Sequence, residues 1–309
     1  MTAPTRIARA PGRGRRIAGW RRSPASALFL LPCIAIFGVF LAYPLLRNIY
    51  VGTFDWNGLS SVTEFIGPDN FIWVFTSPAV LGTAVNTLIF GIVTISLQLG
   101  GGFLLAVALS GAGRLRQVLR SIFFIPVVLT PVVVGYLFSR ILEPNDGDLR
   151  NLLDAVGLGS LNYPWLADPR TALYAVALVN VWLWVGFSMS VYQSALTNLP
   201  PELVEAARID GARSWQVVRH VVLPFLRPTH WALLTLSVIG TLKTFDIVYV
   251  LTKGGPNGST ELPTTLLFKI GFDEYRQGRA AALGTVLFVV ALVLTIIQLR
   301  LARSREASS

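Results

Sequence analysis

The chain has 309 residues, of which 53% are hydrophobic and only 14% charged, and it carries a formal net charge of +10. Together with a mean hydropathy of +0.60, this composition excludes an ordinary soluble domain and indicates a membrane protein. The positive charge is spread over short loops beside apolar segments rather than gathered in one patch, so we expect no nucleic-acid partner.

Six segments are long and apolar enough to cross a bilayer core of roughly 30 Å as helices, which takes about 20 residues each. In chain order they are residues 25–46, 84–110, 121–142, 171–195, 230–252 and 280–299. Pro126 and Pro131 are expected to kink the third segment. The sequence therefore predicts an all-α integral membrane protein with six transmembrane helices.

The predicted spans divide the chain into four regions. These are a basic tail (1–24), a first transmembrane helix with an extracytoplasmic loop (25–83), a core of five transmembrane helices (84–303) and a second tail (304–309). Most of the 26 lysines and arginines lie in the tails and in two of the loops, at 111–120 and 205–228. Because basic loops stay on the cytoplasmic side, both termini are predicted to be cytoplasmic.

Ionisable groups within the spans are scarce, which argues against a membrane-embedded enzyme. Only Lys243 and Asp246 lie well inside a predicted span, three residues apart and so on one face of a helix. They predict either an internal ion pair or a polar lining of a pathway. The sequence contains no metal-binding or nucleophile motif and no Walker A loop, since none of its lysines follows a glycine. We therefore expect no catalytic residue, metal or cofactor in this chain, and any ATP to be hydrolysed by a partner.

Between the fourth and fifth spans the chain turns polar, in the stretch EAARIDGARSWQVVRHVVLPFLRP. Pro201 suits the first turn of a helix, and Gly211 suits the left-handed conformation that ends one. Ser214 is an acceptable cap for a second helix, which Pro224 should stop. The pattern predicts two short helices joined by a tight turn, a description that a helix lying on the membrane surface would also meet.

Three short motifs in this stretch resemble the EAA loop of ABC importer permeases, the element that docks on the ATPase subunit. They contain Glu205, Ala206, Ala207, Asp210, Gly211, Ala212, Leu223 and Pro224. Three further segments extend the resemblance to the carbohydrate-importer branch, with its maltose-type and glycerol-phosphate-type permeases: FFIPVVLTPVVVGYLF, LVNVWLWVGFSM and TFDIVYVLTKGGPNGST. The chain departs from the family pattern at Val218, where a phenylalanine is usual.

The resemblance implies a type I ABC importer permease fold in a bacterial cytoplasmic (inner) membrane, with residues 196–228 as the coupling loop. It also implies four partners besides the lipid bilayer. They are a second homologous permease, an ABC ATPase dimer that holds ATP and Mg, an extracytoplasmic solute-binding protein and a carbohydrate-like solute.

In maltose-type permeases the solute contacts lie on the fourth and fifth spans. The resemblance carries them to Asn180, Trp184, Phe187, Thr241 and Thr244. Each set has helical spacing and shares one helix face, and amide, hydroxyl and aromatic groups suit a neutral polyol. Trp184 and the two threonines depart from the family pattern, which argues against maltose itself.

Two alternatives for the charged pair remain open. Lys243 lies close to these positions and could pair with a phosphate, so glycerol phosphate compounds are possible solutes. Lys243 and Asp246 could instead couple transport to an ion gradient, which is the alternative function, that of a self-contained secondary transporter.

Overall fold

The computed structural model describes residues 24–61 and 63–306. Apart from Pro24, the predicted basic tail therefore lies outside the described residues, as do residues 307–309 of the second predicted tail. The chain separates into two compact units, Met1–Arg47 and Asn48–Ser309. The division falls within the helix of the first span.

The first span begins with helix α1 (Pro24–Phe37), passes through a π-helical turn (Gly38–Ala42) and ends with α2 (Tyr43–Val51). The most apolar 18-residue window within Phe29–Val51 has a mean hydropathy of 2.3, and none of that window is buried. A helix that is apolar all round and unburied suits surroundings of lipid.

A small β-ladder follows the first span, which corrects the all-α expectation in one detail. Strand β1 (Phe54–Asp55) pairs antiparallel with β2 (Glu64–Phe65). The rings of Phe54 and Phe65 meet edge to face across the pair, with their centroids 5.4 Å apart. Helix α3 (Asp69–Thr76) then leads into the second span.

The second, fourth and sixth spans are uninterrupted, as predicted. They are α4 (Pro78–Ala108), α8 (Ala172–Leu196) and α15 (Gln277–Glu306). Shorter helices connect the spans: α7 (Asp148–Ala155), α9 (Pro201–Ile209), α10 (Ser214–Val217), α11 (Leu223–Phe225) and α14 (Pro263–Phe268). Among residues 24–61 and 63–306, four helices, including that of the first span, are long and apolar enough to cross a membrane, and the number reaches six if each of two bent pairs is one span.

The third span is a bent pair, α5 (Arg114–Val128) and α6 (Pro131–Ile141), whose axes differ by 102°. The bend lies at the extended residue Thr130, whose hydroxyl caps α6 by accepting the N–H of Val133 at 3.4 Å. The predicted kink at Pro131 is thus confirmed. Pro126 lies inside α5, which continues to Val128, and the kink at that residue stays a prediction.

The fifth span differs most from its prediction as one helix over 230–252. The second bent pair joins Ser214–Phe225 to Arg227–Lys243, the latter being α12, at 67°. Beyond α12 the chain is broken at Thr244 and Phe245 before α13 (Asp246–Thr252) begins. Because a broken helix leaves carbonyls unpaired, the break depends on a partner from elsewhere. The hydroxyl of Thr264, in α14, supplies it by donating to the carbonyl of Thr244.

Helix α8 lies against α4 and α5 at two very close approaches. A Cβ atom on Gly102 would come within 2.7 Å of the Ser188 side chain, and one on Gly186 would come within 1.9 Å of the Phe123 carbonyl oxygen. Gln98 donates a buried hydrogen bond to the Ser188 hydroxyl at 3.0 Å. Small residues and buried polar pairs of this kind hold helices together within membranes.

We expect Gly186→Ala to destabilise the protein, because its methyl group would overlap the backbone of α5. Overpacking costs about 1–3 kcal/mol and occasionally more. Gly100→Ala is the matched control, since that position faces open space and alanine gains up to about 1 kcal/mol of helix propensity over glycine. Thermal unfolding of the detergent-purified variants measures both effects, and a Gly186→Ala variant as stable as the parent would contradict the close packing.

Candidate functional site

The stretch between the fourth and fifth spans forms the predicted pair of short helices, α9 and α10. Gly211 adopts a φ of +81°, which glycine allows without steric cost. The N–H of Gly211 bonds the Arg208 carbonyl at 3.0 Å, and the N–H of Ala212 bonds the Ala207 carbonyl at 2.9 Å. These two bonds form a Schellman motif, so the turn after α9 is defined by its own backbone. We refer to residues 201–225 as the coupling segment.

Two local predictions for the coupling segment are corrected. Arg213, not Ser214, is the N-cap of α10, because Gln216 reaches back three residues and its Oε1 accepts the Arg213 N–H at 2.7 Å. Pro224 does not stop the second helix, which continues through a π-helical turn (Val218–Val222) into α11. The wider π-helical turn accommodates Pro224, which has no N–H to donate to the helix.

The predicted contact residues divide by exposure. Six are exposed: Glu205, Ala206, Asp210, Gly211, Leu223 and Pro224. Ala207 and Ala212 are half-buried against the core. Sequence reasoning missed the apolar part of this surface, where Ile209 is 86% and Trp215 is 56% exposed. Their apolar character within a polar stretch was the available signal.

The inner side of the coupling segment packs on the same cluster as the fourth span. Val217, Val222 and Leu226 are buried together with Tyr192 of α8. The Tyr192 hydroxyl forms a 2.6 Å hydrogen bond with Nδ1 of His230, in the first turns of α12. The two rings also stack, with centroids 6.2 Å apart. The coupling segment is therefore tied to both the fourth and the fifth spans.

A cavity of about 360 Å³ lies further along these two spans. Its lining includes every residue predicted to follow the solute pathway: Asn180, Trp184, Phe187, Thr241, Lys243, Thr244 and Asp246. The rings of Trp184 and Phe187 meet edge to face at 6.3 Å. The fold thus brings together residues from α8, α12, the break and α13.

Sequence reasoning missed the second and third spans as parts of this lining. Thr94 and Gln98 reach the cavity from α4, and Pro131 reaches it from α6. Gln98 is the residue that also bonds Ser188. Their signal was weak, because one amide and one hydroxyl in an apolar helix are equally common as bridges between helices.

The prediction that Lys243 and Asp246 share one helix face is wrong, because α12 ends at Lys243 and α13 begins at Asp246. The extended conformation of Thr244 separates them. The ion pairs found among the described residues do not include these two. Both side chains are exposed to the cavity instead.

Within residues 24–61 and 63–306 no cluster of histidine, cysteine and carboxylate side chains could hold a metal ion. The cavity offers amide, hydroxyl, aromatic and two oppositely charged groups. Such a lining can bind an organic solute through hydrogen bonds and ring contacts.

Known proteins resemble the chain over nearly its whole length. The probable ABC transporter permease protein YurN of Bacillus subtilis (strain 168) is 32% identical over 88% of this chain and 94% of its own. The lactose transport system permease protein LacF of Rhizobium radiobacter is 31% identical over 90% and 94%. The arabinooligosaccharides transport system permease protein AraP of Bacillus subtilis (strain 168) is 31% identical over 93% and 92%.

The fold also matches solved structures. A bacterial ABC transporter involved in the import of the acidic polysaccharide alginate superposes with a TM-score of 0.78, at 26% identity over 92% of this chain and 96% of that chain. The six-span architecture is the type I ABC importer permease fold. These similarities give no support to an ion-coupled secondary transporter. The family described as binding-protein-dependent transport system inner membrane component matches residues 98–306, and the chain therefore belongs to this family of membrane-embedded transport permeases.

Proposed function

We propose that this chain forms half of the solute pathway of an ATP-driven importer for a sugar, an oligosaccharide or a related polyol. The cavity between α8 and α12 carries the proposal, since Asn180, Thr241 and Thr244 offer hydrogen bonds beside the rings of Trp184 and Phe187. Relatives named for lactose and for arabinooligosaccharides support this class of solute. Lys243 and Asp246 leave the cavity with no net charge, which favours an uncharged solute over a phosphate.

The proposal includes partners that complete the transporter. A second, homologous permease would supply the other half of the pathway, and two copies of an ATPase would hold ATP and Mg. An extracytoplasmic binding protein would deliver the solute. Support comes from the alginate transporter, which was solved in complex with an alginate pentasaccharide-bound periplasmic protein and superposes on this chain with a TM-score of 0.79.

The coupling segment is the proposed contact with the ATPase. The exposed Ala206 allows close approach of another chain, and the exposed Ile209 and Trp215 offer apolar area around it. Behind this surface, Val217 and Val222 of the segment pack in one cluster with Tyr192 of α8, and Tyr192 bonds His230 of α12. A displacement of the segment would thus be passed on as a rigid-body movement of those two helices.

Solute-stimulated ATP hydrolysis tests the proposed function. In proteoliposomes that contain the whole transporter and its binding protein, we expect a sugar to stimulate hydrolysis and to be taken up. Asn180→Ala should raise the solute concentration needed for half-maximal uptake about tenfold, because a lost hydrogen bond of about 1.5 kcal/mol corresponds to that factor. Ser139→Ala, in α6 and outside the cavity lining, is the control. Stimulation by an amino acid or a metal ion alone, with no response to any sugar, would contradict the proposal.

Substitution of Gly211 tests the coupling segment. Gly211→Pro should abolish solute-stimulated ATP hydrolysis while the protein still inserts, because proline is restricted to a φ near −65° and has no N–H to donate to Arg208. Gly211→Asn is the matched control, since asparagine tolerates the left-handed conformation. ATPase assays of the purified complex compare the two variants. Full stimulation in the proline variant would rule out a rigid docking role.

The proposed orientation places both termini and the coupling segment in the cytoplasm of a bacterium. It can be tested by thiol labelling, because Cys33 is the only cysteine of the chain and can be replaced. In a Cys33→Ser background, Ser61→Cys should react with a membrane-impermeant maleimide in spheroplasts. Ser110→Cys should react only after the membrane is opened, although both serines are exposed. The reverse pattern would invert the topology.

A further inference from the structure

Four aromatic rings form a continuous row that starts at the cavity. Phe245 lines the cavity and stacks on Tyr249, with ring centroids 5.1 Å apart. Both rings contact Phe268, at 5.4 Å and 5.1 Å, and Phe268 stacks on Phe272 at 4.9 Å. We call these four residues the aromatic row. Its last member, Phe272, is 59% exposed, and the other three are only half-buried.

The aromatic row continues from the cavity along α14. Thr264 donates its hydroxyl to the Thr244 carbonyl, so α14 begins beside the cavity. The chain then continues from α14 through a π-helical turn, Lys269–Asp273. Phe268 contacts Phe245 at the cavity lining, and Phe272, which is not part of that lining, stacks on Phe268. The row therefore runs from the cavity to the loop that precedes α15. We call the end of the row at Phe272 its outer end.

The charges along the aromatic row balance at both ends. Lys243 and Asp246 face the cavity end, and both are exposed. The outer end carries exposed cations and anions in equal number, Lys269, Arg276, Asp273 and Glu274. Aromatic rings with polar groups at their margins suit the CH faces and hydroxyl groups of sugars. The absence of excess positive charge among these residues gives a uronate or a phosphate no advantage over a neutral ring.

We propose that the aromatic row is a second sugar-binding site, outside the cavity, for neutral oligosaccharides. One unit of the chain occupies the cavity while the following units lie along Tyr249, Phe268 and Phe272. The ring centroids lie only 4.9–5.4 Å apart, so the four rings contact one another and form one continuous aromatic surface. This inference rests on the proposed function, because it requires that the cavity itself takes a sugar.

Saturation-transfer NMR on the purified transporter in lipid nanodiscs tests the site. The probes are neutral pentasaccharides of glucose and of arabinose, the corresponding monosaccharides, and an alginate pentasaccharide. We expect Phe272→Ala to weaken binding of a neutral pentasaccharide about three- to tenfold, the range of one aromatic contact, and to leave the monosaccharide unchanged.

Phe75→Ala is the matched control, since Phe75 is an aromatic side chain in α3 that is 66% exposed and lies outside the row. Equal pentasaccharide affinity in the parent and in Phe272→Ala would overturn the outer site, as would binding of the alginate pentasaccharide as tight as that of the neutral ones. Asn180→Ala separates the two proposals: loss of binding there, with none in Phe272→Ala, leaves the cavity as the sugar site and removes the outer one. If no sugar transfers saturation in the parent transporter, both proposals fall.

Discussion

Inside the hydrocarbon part of a bilayer, every backbone N–H and C=O group must find a partner within the protein, because water is not available. Helices meet this requirement with their own backbone, which is why the chain is helical wherever it is apolar for long enough. The requirement is hardest to meet where a helix breaks. Here the two breaks inside the predicted spans 121–142 and 230–252 are each matched by a hydroxyl: Thr130 caps α6 after the break in the third span, and Thr264 bonds the carbonyl freed after α12.

Both breaks border the cavity, and this location follows from the same constraint. Irregular backbone within a membrane is tolerated only where it is buried in protein or lines a polar space. Pro131, just after the first break, and Thr244, at the second, both contribute to the cavity lining. The interruptions thus place polar backbone and side-chain groups at the surface of the cavity, where they can form hydrogen bonds with a solute. The unpaired backbone groups have a free-energy cost that an unbroken helix does not have.

Close packing around α8 determines how a displacement of the coupling segment could be transmitted to the cavity. Gly102 and Gly186 let α4 and α5 approach α8 so closely that side chains at these positions would not fit. Interfaces packed in this way shift as units rather than deform gradually. The coupling segment joins the same body through Val217, Val222 and Tyr192. The cluster that holds the coupling segment therefore includes Tyr192 of α8, the same helix that carries Asn180 to the cavity lining.

The sequence by itself determined the membrane class, the long apolar segments and the turn at Gly211, and its resemblance to importer permeases, together with the two charged residues of the predicted fifth span, pointed to seven of the residues that line the cavity. These features depend on local chemistry, namely the length of apolar runs, the conformational freedom of glycine and motifs that lie close together in the chain. Only the tertiary structure decided that α12 ends at Lys243, because the partner that permits the break, Thr264, lies 20 residues further along. It also decided that Gln98 and Pro131 reach the cavity and that four aromatic side chains form one row. Such contacts join residues that are distant in sequence, and neither spacing nor composition records which faces of two helices will meet.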